Sequence, residues 1–531
     1  MKTFLYYKLQ IDNFINSRIL SHNIFLIPHT VRYLKPIQVY YHIWYRIKNK
    51  LNIGHRFNKH CKKVVALRWI DGIYNPSTYQ GSNTFEFINL KKKFKQAIDW
   101  NYKKHKKLWT YNLTYFDFLN QEKISKEEGL VLINDFVKNY AILKDAKEPY
   151  PTSLRIINWI KFIAKHKIED QSILQTIKQD SNRLNSNLEY HLLGNHLLEN
   201  GFALWFSAHL FKDEECLKKS RKLLQNQLNE QILNDGGHFE LSPMYHQLIL
   251  YRVLDCIRLA ELNSLGSVKM ISFFKDKASE MISWLEHMTF NNGNIPLFND
   301  AANAITPKSF NIFAYAKALN IKSANIPLSD SGYRKFLNNN YELICDVGEL
   351  GPTYNPGHSH ADTFNFELYI NDEPILVDSG ISTYNIGVER SSERSTKAHN
   401  TVTVNSLNSS QVWGGFRVAK RANVKILKDS DVIITATHDG FKELKTIHER
   451  RWLLRKNQIE INDVLSNMNV DGTCYLHFHP SVINLSLEEN KLVSDNFTIY
   501  FEGEAVKIIL KKYKYNNQFN SPQTAFLLEV N

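Results

Sequence analysis

The sequence lacks the apolar segments that direct a chain to or through a membrane. Lys8, Asp12, Asn13 and Arg18 interrupt the apolar stretches of the first 50 residues, which therefore contain no secretory signal core followed by a small-residue cleavage site. No run approaches the roughly 20 apolar residues that a membrane-spanning helix needs. We therefore expect a cytoplasmic protein without a transmembrane segment, with the periplasm as the alternative.

Cysteine is also scarce, and its spacing excludes a disulfide framework. The five cysteines are dispersed along the chain: Cys61, Cys216, Cys256, Cys345 and Cys474. An odd, scattered set is typical of buried free thiols in a reducing compartment. No zinc-finger spacing and no RNA-binding aromatic motif is present, so we expect no nucleic-acid partner.

Positive charge is what the sequence has in excess. The chain carries 66 basic and 53 acidic residues, a formal net charge of +13. Such a balance favours an anionic partner, either a polyanionic sugar, a nucleic acid or an acidic membrane surface. The segment from Tyr33 to Lys50 mixes aromatic, apolar and basic residues and allows peripheral membrane contact, although a helix packed on the main domain is the preferred interpretation.

The periodicity of apolar residues divides the chain into a helical part and a sheet part. With 531 residues the chain is long for one core, so we expect more than one domain. Ser125 and Glu128 form a capping box ahead of a helical pattern, and amphipathic stretches continue to about residue 325. From Phe364 to Ile370 the pattern alternates, as in a half-buried strand. We predict a basic, aromatic helical extension over 1–84, a helical domain over 85–330 and an antiparallel sheet domain over 331–531.

Several helices are predicted from the 3.6-residue period, with short links that favour antiparallel helical hairpins. They cover Ser172–Leu193, Glu214–Leu233, Pro243–Leu262, Val268–Met288 and Ser309–Leu319.

Two strings place polar residues on predicted helices. In His191–Asn200, the side chains of Asn195, His196 and Glu199 share a face and can point into one cavity, although a satisfied polar helix face explains them equally well. In Phe239–His246, Ser242 and Pro243 begin a helix and place Tyr245 in its first turn, where the helix dipole favours a negative charge. From that string alone, a structural tyrosine is the preferred interpretation.

Two further clusters lie beside predicted strands. Gly357–Asp362 precedes the alternating strand, and Asp378–Gly380 and His399-Asn400 each lie at a strand end. Two imidazoles and one carboxylate, from His360, Asp378 and His399, form a donor set that suits Zn²⁺. Their long separations make the pattern unspecific by itself.

Taken together, seven strings in register resemble the heparinase II/III and alginate lyase superfamily. No single string is decisive, but their common order from about residue 100 to 440 is highly specific. The strings are Tyr111–Asp117, Tyr150–Arg155, Gly194–Gly201, Glu240–His246, Gly357–Asp362, Asp378–Gly380 and Ala398–Val402.

The resemblance implies an α+β multidomain fold, with an incomplete α/α toroid over 85–330 followed by an antiparallel β-sandwich over 331–531. It also implies an active site in the cleft between them and cleavage of a uronate-containing polysaccharide by β-elimination. Because no export signal is visible, we expect a role in a capsule or exopolysaccharide system. The polymer and the oligomeric state remain open.

The resemblance also implies roles for individual residues. Asn195 and His196, assisted by His358, match the groups that neutralise the uronate carboxylate. Tyr245 matches the base, the acid or both, and His358 or Tyr384 supplies the second group. Because a free tyrosine has a pKa of about 10, we expect the helix start and the positive surroundings to lower the pKa of Tyr245.

Binding residues are carried over in the same way. His360, Asp378 and His399 match a zinc site, and the resemblance implies a structural ion. Five charged residues are predicted to bind substrate: Glu199, Glu240, Arg155, Arg390 and Arg394. The guanidinium groups suit substrate carboxylates or sulfates.

Two alternative functions remain. A glycoside hydrolase needs two opposed carboxylates, for which Glu199, Glu240 and Asp300 are candidates, but this reading leaves Tyr245 and the histidines unexplained. A non-catalytic glycan-binding or biosynthesis-associated protein on the same scaffold would need no base.

Overall fold

The structure is a computed structural model that describes residues 19–51, 64–503 and 507–531. Two N-terminal helices come first, α1 (Ile19–Val31) and α2 (Pro36–Lys50), followed by a short hairpin of β1 (Thr84–Phe87) and β2 (Leu90–Lys93). The main helical part follows as α3 (Lys106–Tyr115), α4 (Lys126–Asn139), α5 (Pro149–His166), α6 (Gln171–Asn185), α7 (Gly194–Phe211), α8 (Glu214–Gln231), α9 (Pro243–Asn263), α10 (Val268–His287) and α11 (Ser309–Ala318).

Local capping explains where several of these helices begin. Ser125 and Glu128 make the predicted reciprocal capping box ahead of α4. Asp170 and Asp213 accept backbone N–H groups at the starts of α6 and α8. Ser242 occupies the N-cap position of α9, as predicted, but its hydroxyl donates to the carbonyl of Asp300 (3.0 Å) instead of capping the helix.

The predicted helix Ser172–Leu193 is wrong over its last eight residues. Helix α6 ends at Asn185, and the chain turns before α7 begins at Gly194. Leu193 and Gly194 both have positive φ (62° and 56°), so the helix cannot continue through them. A Cβ on Gly194 would lie 2.5 Å from Oε1 of Glu240, which explains a glycine at this turn.

The C-terminal part is built from antiparallel sheets. One sheet contains β3 (Tyr333–Leu337), β4 (Tyr341–Asp346), β5 (Phe366–Ile370) and β6 (Glu373–Leu376), and a short helix α12 (Val388–Glu393) follows it. Then come β7 (Val402–Val404) and the short pair β8 (Val412–Trp413) and β9 (Arg417–Val418). A second sheet contains β10 (Val424–Ser430), β11 (Ile433–His438), β12 (His448–Arg455) and β13 (Gln458–Leu465).

The remaining strands complete the sandwich. A third sheet has the order β18-β19-β14-β7, from β14 (Gly472–His477), β18 (Ile508–Tyr515) and β19 (Gln523–Val530), and a small sheet holds β15 (Ser486–Glu488), β16 (Lys491–Val493) and β17 (Thr498–Tyr500). Leu343, Trp452 and Leu528, one from each of the larger sheets, share one buried core. The prediction of helices first and antiparallel sheets second is confirmed.

A separate apolar cluster joins the helical part to the first sheet. Trp284 and Phe298 from the helical side pack with Tyr333, Ile344 and Tyr369 from the sheet side, all nearly fully buried. Polar groups cross the same junction, since Glu367 of β5 accepts the backbone N–H of Leu297 at 2.8 Å. The two parts are therefore in direct contact through both apolar and polar groups.

Two sequence expectations can be compared directly with these residues. The four cysteines that the structure describes are free thiols, as predicted, and Cys61 lies outside the described residues. Within the described ranges, none of the helices has the length and apolar character needed to span a bilayer.

Candidate active site

Asn195 lies at the start of α7, where the buried carboxylate of Glu240 holds it. Its backbone N–H and its Nδ2 donate to the two oxygens of Glu240 at 2.9 and 3.1 Å. These contacts fix which side of the amide carries the nitrogen, because a carboxylate accepts and does not donate. Nδ2 also lies 3.4 Å from Nε2 of His358, and Oδ1 is buried without a protein partner. Glu240 is therefore a positioning residue for Asn195.

His196 is the more open neighbour of Asn195. Its side chain is one-third exposed, and Nδ1 lies 3.1 Å from Oε1 of Glu189. Burial by itself lowers the pKa of His196, but the carboxylate of Glu189 outweighs it and raises the pKa above its ordinary value. Asn200 donates to the other Glu189 oxygen at 2.9 Å, and the Tyr150 ring lies 4.6 Å from the imidazole. His196 therefore favours its cationic form beside Asn195.

Tyr245 from the helical part lies in contact with His358 and Tyr384 from the sheet part. The Tyr245 and Tyr384 hydroxyls are 3.1 Å apart, and the ring centroids of Tyr245 and His358 are 4.0 Å apart. With Asn195 and His196, the five residues predicted to be catalytic form one continuous cluster. This cluster is called the catalytic cluster below.

The predicted lowering of the Tyr245 pKa is wrong. Burial, followed by the neighbouring Tyr384 and the negative charge of Asp300, raises the pKa of Tyr245 well above its ordinary value. Burial does the same to Tyr384, again with Asp300 contributing. The helix start is therefore outweighed by desolvation and by nearby acidic groups, and both residues are neutral phenols at physiological pH.

Asp300 is the hub that orients His358. Its fully buried carboxylate accepts from Nδ1 of His358 at 2.8 Å and from Nε2 of His360 at 2.9 Å, and it forms a bidentate ion pair with Arg390. Burial alone raises the pKa of a carboxyl, but Arg390 and the two histidines hold the pKa of Asp300 well below its usual range. A carboxylate at Nδ1 leaves the Nε2 atom of His358 as the proton acceptor.

The three residues predicted to hold zinc lie close to one another beside Asp300. Nδ1 of His399 is 2.7 Å from Oδ2 of Asp378, and the ring centroids of His360 and His399 are 5.3 Å apart. Nδ1 of His360 and Nε2 of His399 are buried without a hydrogen-bond partner, and so is Oδ2 of Asp362. Among the described residues no three acidic, histidine or cysteine side chains are already spaced as a metal site. The donor types fit a zinc ion, whereas the present spacing reflects the Asp378–His399 hydrogen bond.

The three arginines predicted to bind substrate have their guanidinium groups on internal acceptors. Arg155 forms a buried ion pair with Asp180 at 2.7 Å, and Arg390 is paired with Asp300. The guanidinium group of Arg394 donates to the Ser359 carbonyl at 2.8 Å. All three side chains are almost fully buried, so this prediction is wrong for the guanidinium groups, whose donors are occupied by internal acceptors.

Two acidic residues predicted to bind substrate also serve internal partners. Glu199 is fully buried and accepts from Nε of Arg252 at 3.2 Å, while Glu240 holds Asn195. Each of the three carboxyl groups named as hydrolase candidates, including that of Asp300, is therefore already engaged by an internal partner. The arrangement therefore gives the glycoside hydrolase no support.

Three residues of this site have roles that sequence reasoning missed. Glu189 sets the charge of His196, Tyr150 packs on it, and Asp300 orients His358. Glu189 lies only seven residues before His196, so a scan for acidic residues near each candidate histidine finds it. Asp300 is 58 residues before His358, and only the fold reveals that contact.

Comparison with known proteins places this cluster in a family. The profile described as heparinase II/III N-terminus matches residues 151–324, and the profile described as heparinase II/III-like, C-terminal matches residues 321–530. Between them the two matches cover most of the chain and include every residue of the catalytic cluster.

Two curated relatives are heparin-sulfate lyases from Bacteroides. The one from Bacteroides stercoris is 27% identical over 268 residues, covering 45% of this chain and 40% of that relative. The one from Bacteroides thetaiotaomicron is 24% identical over 346 residues, covering 55% of this chain and 46% of that relative. The matched segments thus span less than half the length of these relatives.

Solved structures show the same fold. A crystal structure of heparinase III superposes with a TM-score of 0.68 at 16% identity, covering 90% of this chain and 85% of that chain. A heparan sulfate lyase from Pedobacter heparinus superposes with a TM-score of 0.53 at 16% identity, covering 85% and 78%. The expected α+β fold, an incomplete helical toroid followed by a β-sandwich, is confirmed by this likeness.

Proposed function

The chain belongs to the heparinase II/III-like family, and we propose from that membership and from the catalytic cluster that it is a polysaccharide lyase. Its substrate is an anionic, uronic-acid-containing polysaccharide, cleaved by β-elimination. The observation that carries the proposal is the convergence of Asn195, His196, Tyr245, His358 and Tyr384 from both halves of the fold. The heparin-sulfate lyases among its relatives support a glycosaminoglycan as the substrate class.

The first requirement of the reaction is to neutralise the uronate carboxylate. The C5 proton is only weakly acidic, so the negative charge that develops on the adjacent carboxyl group must be stabilised. His196 supplies a positive charge, and Asn195 supplies its amide Nδ2 as a hydrogen-bond donor to the uronate carboxylate. The two residues are adjacent at the start of α7. Because Glu189 and Glu240 already hold these two side chains, little reorganisation accompanies substrate binding.

The second requirement is a base and an acid. Nε2 of His358 takes the C5 proton, and the C5–H electron pair forms the C4–C5 double bond as the C4–O4 bond breaks. The hydroxyl of Tyr245, a neutral phenol in this site, then gives its proton to the leaving O4. To complete the cycle, His358 releases its proton to water, and the Tyr245 hydroxyl regains one from water through Tyr384, to which it is hydrogen-bonded.

The experiment measures the unsaturated product of a lyase by its ultraviolet absorbance on a panel of uronate polymers. We expect absorbance to rise with the parent protein, and Tyr245→Phe to reduce the rate by about 100- to 10,000-fold with substrate binding retained. The matched control is Tyr315→Phe, which removes another buried hydroxyl away from the catalytic cluster. Saturated reducing ends without absorbance would identify a hydrolase, and binding without turnover by the parent would identify a glycan-binding protein.

We also propose that His360, Asp378 and His399 hold a structural zinc ion. The unpartnered ring nitrogens of His360 and His399 support this, because buried polar atoms are ordinarily hydrogen-bonded or bound to a metal. A bound ion would fix the loop that carries His358 to the sheet. The test is the zinc content of the purified protein together with its melting temperature before and after chelation, with His399→Ala expected to lose both the metal and the shift.

We also propose that the protein is cytoplasmic, with the periplasm as the alternative, and that it serves a capsule or exopolysaccharide system. The free thiols, three of them buried, support a reducing compartment. Cell fractionation with a tagged chain and salt-washed membranes tests the location, since recovery in the periplasmic fraction would favour the alternative.

A further inference from the structure

Helix α2 is oriented opposite to an ordinary surface helix. A surface helix normally buries its apolar stripe and exposes its polar side. In α2 the side turned to the protein is polar and aromatic, whereas the outer side is apolar. The inner side chains are Gln38, Tyr41, His42, Tyr45 and Lys48; the exposed ones are Ile37, Val39, Tyr40, Ile43, Trp44 and Ile47, with exposed fractions of 37–60%.

Specific contacts hold the inner side in place. Nζ of Lys48 donates to the carbonyl of Ser186 and to Oδ1 of Asn187, both at 2.8 Å. The ring of Tyr41 stacks on Tyr190 with centroids 4.7 Å apart, and the hydroxyl of Tyr45 donates to a backbone carbonyl of the same turn. These contacts fix the rotation of the helix about its axis, so the apolar side is held outward.

Helix α1 adds to the exposed apolar area and is anchored to the sheet part. Phe25 is 74% exposed and Val31 is 48% exposed. Nε1 of Trp413 donates to Oγ1 of Thr30 at 3.1 Å. Large exposed apolar patches on a soluble chain mark a surface that meets a partner.

The charge around these helices selects the kind of partner. In the described residues 19–51 and 64–70 no acidic residue occurs, whereas six basic residues do: Arg32, Lys35, Arg46, Lys48, Lys50 and Arg68. Lys35 pairs with Glu230 and Lys48 is buried. On α2 itself, Arg46 and Lys50 are exposed along one edge of the apolar stripe. A second copy would bring like charges together, but an anionic surface would be attracted.

We propose that the outer face of α1 and α2 binds the surface of an anionic lipid bilayer. An apolar stripe with flanking basic residues lies in the plane of a membrane interface, and Tyr40 and Trp44 suit the headgroup level. Because α2 packs on the turn before α7, this face would hold the helical side of the active site close to the membrane. The proposal does not depend on the lyase chemistry.

The test is co-sedimentation of the full-length chain with vesicles. We expect binding to vesicles of phosphatidylserine and phosphatidylcholine mixed about 1:2, weaker binding to phosphatidylcholine alone, and loss of binding at high salt. Ile43→Ser/Ile47→Ser should weaken binding by about tenfold or more through lost apolar burial. Arg46→Gln/Lys50→Gln should weaken it by about 25-fold, at about fivefold for each basic residue.

Val131→Ser/Val268→Ser is the matched control, because both valines are exposed on helices away from this face. It should bind as the parent does, and all variants should melt at the parent's temperature and cleave soluble polymer equally well. Absence of parent binding to both vesicle types would overturn the proposal, as would an equal loss in the control. A parent dimer in light scattering that the isoleucine variant dissociates, without vesicle binding, would instead assign the face to self-association.

Discussion

The two sides of the catalytic cluster are held in place in different ways. On the helical side, Asn195 and His196 are held by two separate carboxylates, Glu240 and Glu189. The sheet-side residues His358, His360 and Arg390 instead share one carboxylate, that of Asp300 from the helical part. Two separate carboxylates can be substituted one at a time, each affecting one functional residue. Substituting a shared carboxylate affects catalysis and the stability of the fold together.

The difference follows from what each side is built on. Helix α7 supplies a rigid support, so Asn195 and His196 need only local orientation. The His358 loop lacks regular structure and is held by individual hydrogen bonds to the segment around Asp300. The backbone N–H of Asp300 donates to the carbonyl of His358 at 3.1 Å, and the backbone N–H of His360 donates to Oδ1 of Asn299 at 2.9 Å. We therefore expect a change of the Asp300 carboxylate to reduce activity and stability together, and a change of Glu240 or Glu189 to affect activity more than stability.

The largest effect is expected for Asp300→Asn. The change leaves the buried guanidinium group of Arg390 without its counter-charge, and removing one partner of a buried ion pair costs about 3–5 kcal/mol. Chemical denaturation should show that loss, and turnover should fall because His358 is no longer oriented. Asp429→Asn removes the partner of Arg334 in a more exposed pair and should cost about 1 kcal/mol or less. An equal loss of unfolding free energy in the two variants would contradict the view that Asp300 supports several residues at once.

A smaller effect, on activity alone, is expected for Glu240→Gln. The glutamine can still accept one N–H of Asn195, but its amide nitrogen meets the other donor, so the amide of Asn195 shifts. We expect turnover to fall by about tenfold to 100-fold and the denaturation midpoint to change little. A loss of stability as large as that of Asp300→Asn would show that the two sides do not differ.

The sequence predicts the order of the two parts, the helix start at Pro243 and the members of the catalytic cluster, because each is a local pattern or a specific string. It cannot predict the direction of the Tyr245 pKa shift. That shift depends on burial beneath Tyr384 and on the charge of Asp300, and neither is adjacent in sequence.

The arginines illustrate the same limit. Arg155 ends one of the strings that resemble the lyase superfamily, and Arg390 lies between two of them. A guanidinium group is suited to anionic substrates. Their actual acceptors, Asp180 and Asp300, are 25 and 90 residues away. Whether an arginine faces substrate or an internal carboxylate is decided by long-range packing, which periodicity and motif spacing do not encode.

The smallest effect is expected for Glu189→Gln, and it appears as a change in pH dependence. Burial lowers the pKa of His196, but Glu189 raises it above its ordinary value, so the cation persists to higher pH than in a free imidazole. If the cation neutralises the substrate carboxylate, turnover falls as pH rises through that pKa. Without the carboxylate the fall should begin at lower pH, while the rate in mildly acidic buffer stays near that of the parent.

Stability should follow the same sign. A histidine whose pKa is raised by folding stabilises the protein below its unfolded pKa, and that contribution disappears as pH rises through the folded pKa. The parent should therefore exceed Glu189→Gln in melting temperature by more in acidic than in alkaline buffer. Glu215→Gln, an exposed change on α8, is the control. An alkaline limb of the turnover profile that is identical in parent and variant would mean that the charge of His196 takes no part in the reaction, and the helical side would then act through Asn195 alone.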